Sequence, residues 1–317
     1  MTAQISGQPP FSFRLRADLD NLPSEICENE THFHTMLTTD PDTGDVYYTL
    51  LNIGLIKLSP DLTTHDIIHL SSKWKSVNFH SVRLMTINGA KRLILSANDN
   101  QQVIVMTLSG EIDFTLGVPT LAPYQADAAT YEPTDTCLVG DKLYIADGYG
   151  DQFISIVDIT SCEWITTFGG KTEDRMENGK FRTAHGINLT PDGQHLVVAD
   201  RWNSRLQIHD FDGEFVASHH MPYNAWVCGI DWIQWQGKQY GVIACLYDTD
   251  EDKQNPAPIF ILNSSYEIIS TLRPKQDFGI EEAQRLHNAI WHIFENQLFL
   301  ICHSWNPGKY FVLELKN

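Results

Sequence analysis

Three histidines carry the strongest chemical signal in the chain. His80, His185 and His287 lie 105 and 102 residues apart, and each heads a short apolar segment: Phe79-His80-Ser81, Ala184-His185-Gly186 and Leu286-His287-Asn288. One residue type at near-equal spacing, always at the head of a similar segment, is what a repeated unit produces. Imidazole suits zinc or another divalent transition metal. Three protein ligands with one open position is the arrangement of a catalytic zinc site. Any one of the thirteen histidines taken alone is most simply a surface or hydrogen-bonded side chain. His34 heads a further segment and is a fourth ligand, a support for the other three, or a lining residue. Tyr149 stands between Gly148 and Gly150 at the end of an apolar run, so its ring is expected to be exposed at a rim. A cation beside a phenol favours its ionised form, which could take a proton from a bound hydroxyl. Arg201 could clamp a carboxylate or meet a developing oxyanion. The plainer alternatives are a packing aromatic for Tyr149 and, for Arg201, an ion pair with a neighbouring Asp.

The elements that must position these residues are strands. Within Thr183–Arg205, Ala184–Leu189 alternates apolar and polar residues, Pro191-Asp192-Gly193 is a turn, and His195–Ala199 is a second short apolar run. Leu206–Phe211 and Glu214–Ala217 follow around Asp212-Gly213, completing a four-stranded antiparallel meander. A lone sheet of this kind cannot bury both faces, so others must flank it. The heads of six such units, His34, His80, Pro133, His185, Cys228 and His287, are 46, 53, 52, 43 and 59 residues apart. The sixth unit lacks a final strand, and an unassigned strand is predicted over Phe11–Ala17. Joining the two would close a ring and remove a free sheet edge. The expected architecture is all-β, a six-bladed β-propeller over residues 31–317, closed by a strand from an N-terminal segment over 1–30. Alternate blades are 120° apart, so His80, His185 and His287 would converge on the channel from three equal directions.

Composition narrows the partners. The net charge of −18 and pI near 5.0 repel phosphate backbones and anionic lipid, so neither nucleic acid nor membrane is expected. No stretch approaches the roughly 20 apolar residues of a membrane span, and Met1–Pro10 is polar without an apolar leader region. The six cysteines form no CxxC motif. They are expected as reduced thiols in a cytoplasmic protein. Oligomeric state is not legible.

The motifs at the heads of the units resemble those of NHL-repeat propellers, and the set as a whole is similar to the peptidyl-α-hydroxyglycine α-amidating lyases. The resemblance rests on the three His segments, Pro133-Thr134-Asp135, Asp147-Gly148-Tyr149 and Ala199-Asp200-Arg201, and covers about residues 77–215 and 285–315. It implies a zinc held by His80, His185 and His287, with Tyr149 as catalytic tyrosine and Arg201 as active-site arginine. The family has an Asp after its last His that helps hold a structural calcium. Asn288 stands there instead, which counts against the calcium. His34, Asn288, Asp135 and Trp202 could support the ligands or touch the substrate, and Trp226, Trp232, Trp291 and Trp305 could line the pocket. A small-molecule substrate is expected, cleaved by a lyase at a C–N, C–O or C–C bond beside a hydroxyl or carbonyl. The alternatives are a metal-dependent hydrolase or lactonase, and a non-catalytic NHL interaction module.

Overall fold

A computed structural model describes residues 4–20, 22–249 and 254–316. It is all-β apart from short helical turns, with six sheets in a ring. Blade 1 comprises Thr38–Thr39, Val46–Leu50, Gly54–Leu58 and His65–Ile68. Blade 2 comprises Ser81–Ile87, Ala90–Ala97, Gln102–Met106 and Ile112–Leu116, and blade 3 Asp135–Val139, Lys142–Ala146, Phe153–Asp158 and Glu163–Gly169. Blade 4 runs Ala184–Leu189, Leu196–Asp200, Arg205–His209 and Phe215–His220, and blade 5 Asp231–Trp235, Lys238–Ala244, Ile259–Asn263 and Ile268–Leu272. In blade 6, Leu286–Phe294, Gln297–Ser304 and Lys309–Leu315 are completed by Phe11–Leu15, with Phe13 opposite Leu315. The six-bladed ring and its N-terminal closure are therefore as expected.

Two strands escaped sequence reading. His65–Ile68 finishes blade 1, and Ser6–Gln8 adds a fifth strand to blade 6 by pairing with Phe11–Leu15. Ser-Gly-Gln has no strand propensity of its own. Its place is set by contacts to blade 5 and the helical turn after it: Gln8 N donates to Ser270 Oγ (2.9 Å) and Ser6 Oγ to Asp277 Oδ2 (2.5 Å).

Middle strands are apolar on both faces because each blade packs against two neighbours. One cluster of buried side chains fills each of the six junctions between blades. Tight hairpins join the inner strands to the second. Asn88-Gly89, Gln236-Gly237 and Glu295-Asn296 have positive φ at both central residues, the twist that matches antiparallel strands.

The inner strands are tied to one another by side chains at two levels. At the upper level the leading residue of a blade donates to a carbonyl of the next. Thr35 Oγ1 reaches Phe79 O (2.9 Å), His80 Nδ1 Thr134 O (2.7 Å) and Thr134 Oγ1 Ala184 O (2.9 Å). His185 Nδ1 then reaches Cys228 O (2.5 Å), and Cys228 Sγ reaches Leu286 O (3.4 Å). Thr35 and Thr134 hold the equivalent position in blades 1 and 3, not His34 and Pro133. His34 stands one residue earlier, nearer the channel mouth. At the lower level, Leu37 N donates to Asn288 Oδ1 (3.0 Å) and Leu84 N to Thr38 Oγ1 (3.2 Å). Arg83 binds Asp135 through both guanidinium branches, and Ile187 N donates to Asp135 Oδ2 (3.0 Å). Asn188 Nδ2 donates to Ile230 O (3.0 Å) and Trp291 N to Asp231 Oδ2 (2.9 Å), completing the hoop. Asp135 and Asn288 are thus occupied as clamps between blades. Asn288 spends its amide oxygen on a backbone N–H at the position where the resembled family has its calcium-binding Asp.

Candidate functional site

The upper channel mouth opens into a cavity of about 670 Å³ whose lining includes His34, Tyr149, Arg201, Trp202, Trp226 and Trp305. Trp202 and Trp226 stack with ring centres 4.5 Å apart, and Arg182 lies over Trp202. Trp232 and Trp291 belong elsewhere: they line a second cavity, of about 330 Å³, farther down the inner strands.

Two turns of the same construction present Tyr149 and Arg201. Each follows an Ala-Asp pair at the end of a second strand. In blade 3, the buried Asp147 carboxylate accepts from Glu132 N (2.6 Å), Asp151 N (2.8 Å), Gly150 N (3.1 Å) and Tyr124 Oη (3.0 Å). Burial raises its carboxyl to about 7, although these donors pull it the other way. Gly148 is required because a Cβ there would run into the Ala184 carbonyl. In blade 4, Asp200 accepts from Arg182 N (2.7 Å), Arg205 Nε (2.8 Å) and Asn203 Nδ2 (2.9 Å). Sequence reasoning missed both aspartates as positioning groups. The signal was the repeated Ala-Asp, at Ala146-Asp147 and Ala199-Asp200.

These turns fix where the two side chains lie. Tyr149 is half-buried over the channel, not exposed at an outer rim. Arg205, not Arg201, makes the ion pair with Asp200, and both partners of that pair are fully buried. Arg201 is 4 % exposed. Among the described residues no carboxylate pairs with it. Its Nη1 donates to Tyr149 Oη (3.1 Å), its Nη2 touches His185 Nε2 and lies 3.3 Å from Cys228 Sγ, and its Nε has no partner. A buried guanidinium without a counter-charge is costly, and it favours an anion brought to it.

Below the phenol lie four imidazoles. Ring centres are 4.5 Å apart for His80–His185, 4.8 Å for His80–His287 and 5.0 Å for His185–His287. The predicted triad is thus brought together. His34 joins it, 4.8 Å from both His80 and His287. The ligand nitrogens of His34, His80 and His287 all fall within 4.8 Å of one another. Because the Nδ1 atoms of His80 and His185 donate to carbonyls, which can only accept, both Nε2 atoms carry lone pairs, and that of His185 accepts from Arg201 Nη2. Both are 3.1 Å from Tyr149 Oη. Arg201 Nη2 already donates to the His185 nitrogen, which leaves the phenol proton for His80. His287 has both ring nitrogens buried without a partner. Both nitrogens of His65 in blade 1 are also buried without a partner, so what singles out His287 as a ligand is the convergence of a ring nitrogen with those of neighbouring imidazoles. Burial holds His80, His185 and His287 well below the usual histidine range, with the neighbouring imidazoles and, for His80 and His185, Arg201 adding to the effect. Neutral imidazole is the metal-ligating form, and this donor set fits a borderline divalent ion rather than calcium or magnesium. Burial also pushes the Tyr149 phenol up, and Arg201 draws it back down.

No family model matches the chain. Curated relatives do. Peptidyl-glycine α-amidating monooxygenase B of Xenopus laevis is 30 % identical over 149 residues, 45 % of this chain and 16 % of that protein. The Mus musculus enzyme of the same name is 31 % identical over 149 residues, 45 % of this chain and 15 % of its own length. The chain shares distant similarity with the peptidylglycine α-amidating monooxygenases. The match spans about one-sixth of the length of these relatives. A chain in the crystal structure of a mitotic checkpoint complex superposes with a TM-score of 0.53 at 14 % identity, covering 91 % of this chain and 79 % of that one. That likeness is one of fold alone. No helix among the described residues is long and apolar enough to cross a membrane.

Proposed function

We propose that this chain is a metal-dependent lyase acting on a small hydroxylated or carbonyl substrate at the upper channel mouth. The observation that carries the reading is the environment of one oxygen. Tyr149 Oη sits 3.1 Å from two imidazole nitrogens that carry lone pairs and 3.1 Å from a buried guanidinium that has no carboxylate. His80, His185 and His287 would hold the ion, with zinc as the proposed metal. The orphaned nitrogens of His287 and the fixed tautomers of the other two support that fit. A divalent ion there would polarise a substrate oxygen.

The protein groups do the rest. Tyr149 in its ionised form accepts the proton of the substrate hydroxyl. As that O–H is lost, the C–O bond becomes a carbonyl and the adjacent C–N, C–O or C–C bond breaks. Its electron pair leaves with the departing group, which then takes the proton back from Tyr149. Arg201 holds a substrate carboxylate or the developing oxyanion. Trp202, Trp226 and Trp305 give the cavity an aromatic wall against which an apolar part of the substrate can pack.

The test is turnover by the zinc-reconstituted protein on N-acyl-α-hydroxyglycines, read as glyoxylate release, beside hydroxy-ether and hydroxy-ketone probes for the other two bonds. Tyr149→Phe should keep its metal and lose at least about 100-fold in kcat, the lower end of what a general base contributes. Metal-loaded wild type that cleaves none of the three bond types would sink the lyase reading and leave a non-catalytic module in its place.

A further inference from the structure

The four imidazoles form two triangles that share an edge. His80 and His287 make that edge, with His185 on one side and His34 on the other. No ring contact joins His34 to His185 among the described residues. His34 comes from the segment before Thr38–Thr39, where Trp305 packs 5.7 Å from it. Its Nδ1 donates to Asn78 Oδ1 (3.3 Å). Its Nε2 is then a lone pair, as in His80 and His185. The ring is buried to 8 % exposure yet lines the cavity. His185 differs from His34 in one respect: its Nε2 is already faced by Tyr149 and Arg201.

We propose that His34 is a fourth ligand, so that the centre is His34, His80, His185 and His287. The inference rests on the metal-centre reading above and goes beyond its three-histidine set. All four donors are neutral, so the ion would keep its full +2 charge. A substrate oxygen would then enter as a fifth ligand, and it would be attracted more strongly than to a site that includes a carboxylate or thiolate. The donor set selects among zinc, copper, nickel, cobalt and iron and against calcium and magnesium. An ion with metal–nitrogen bonds of about 2.0–2.1 Å requires at most a modest inward movement, since the His34, His80 and His287 nitrogens already lie within 4.8 Å of one another.

Cobalt(II) titration followed by visible absorption tests this, with bound metal counted by elemental analysis. Wild type should bind one ion. His34→Ala and His34→Gln should each change the ligand-field spectrum and weaken affinity by more than about 100-fold, above the range for residues that only support ligands. Added imidazole should restore the wild-type spectrum in His34→Ala. His34→Ala/His185→Ala should bind no cobalt, while its metal-free circular dichroism matches that of wild type. A cobalt spectrum in both His34 variants identical to wild type overturns the fourth ligand and leaves the three-histidine centre intact. A wild type that takes up no cobalt overturns the centre itself.

Discussion

At the scale of single residues, the chemistry is legible where side-chain type alone limits the options. Histidine at near-threefold spacing points to a metal because few other groups share its donor chemistry. Partner choice is not legible in this way. Arg201 and Arg205 both lie within five residues of Asp200, and only the fold decides that Arg205 takes the carboxylate and Arg201 is left to the cavity. This assignment has a consequence for metal affinity. In the metal-free state Arg201 donates to His185 Nε2, the atom a metal needs. It is also a cation beside the site, where two like unit charges 4 Å apart repel by about 4 kcal/mol at an effective dielectric of 20. Arg201→Gln should therefore bind zinc at least about tenfold more tightly, a difference of about 1.4 kcal/mol, while turnover falls. Competition against a chelating dye measures the affinity, and unchanged or weaker zinc binding would contradict the arrangement.

At the scale of strands and turns, the inner hoop sets the expected costs. Arg83 and Asp135 bridge blades 2 and 3 with side chains 14 % and 0 % exposed. Arg83→Met strands a buried carboxylate and should destabilise by about 3–5 kcal/mol, whereas Arg83→Met/Asp135→Leu should recover part of the loss. Urea unfolding of both variants checks this, and equal stabilities would remove the pair from the account. The turn that carries Tyr149 makes a second case. Asp147→Ala leaves Glu132 N, Gly150 N and the Tyr124 hydroxyl without an acceptor and Asp151 N with Thr130 O alone, so Tyr149 should lose its place. The expected result is a fall in kcat with metal content unchanged, and loss of metal together with activity would show that the turn does more than position the phenol. The blade boundaries are legible in the sequence because turn residues and β-branched runs mark them. The assignment of Pro133 and His34 as leading residues is one place early because Thr134 and Thr35, without imidazole, make the same bond to the next blade. Ser6–Gln8 is invisible for a different reason. Its strand is imposed by neighbours and not by its own residues.

At the scale of the whole molecule, buried histidine couples stability to pH. Burial lowers His34 and His65 to about 4 and His303 to about 3, and holds His80, His185 and His287 well below the usual range. In the unfolded chain each takes up a proton near pH 6.5. Their stabilising contribution is therefore complete above pH 6.5 and is lost as pH falls from 6.5 toward about 4, each group costing up to about 1.4 kcal/mol per pH unit. The melting temperature of metal-free protein should drop steeply between pH 6.5 and 5, before most carboxylates titrate. A flat profile across that interval would mean that the histidines are hydrated or already charged. Propeller architecture and closure can both be deduced from the spacing of the leading residues, since a ring of blades has only one way to bury both faces of each sheet. The convergence of His80, His185 and His287 follows from the same spacing, whereas the place of His34 beside them does not, because the segment before blade 1 must first be placed before its side chains can be compared.

Blade 6 is assembled from strands far apart in the chain, with Phe13 paired to Leu315. Its seam with blade 1 runs between His287 and His34, whose rings lie 4.8 Å apart. During synthesis His34 emerges early and waits for the last blade before it meets His287. The donor set is therefore the last part of the molecule to come together, and no ion can be held by both sides of the seam until the ring has shut. Once bound there, an ion would rivet the joint where the ring would otherwise open first, so metal should slow unfolding far more than it speeds folding. Circular permutants that move the seam to another junction would shift that dependence with it.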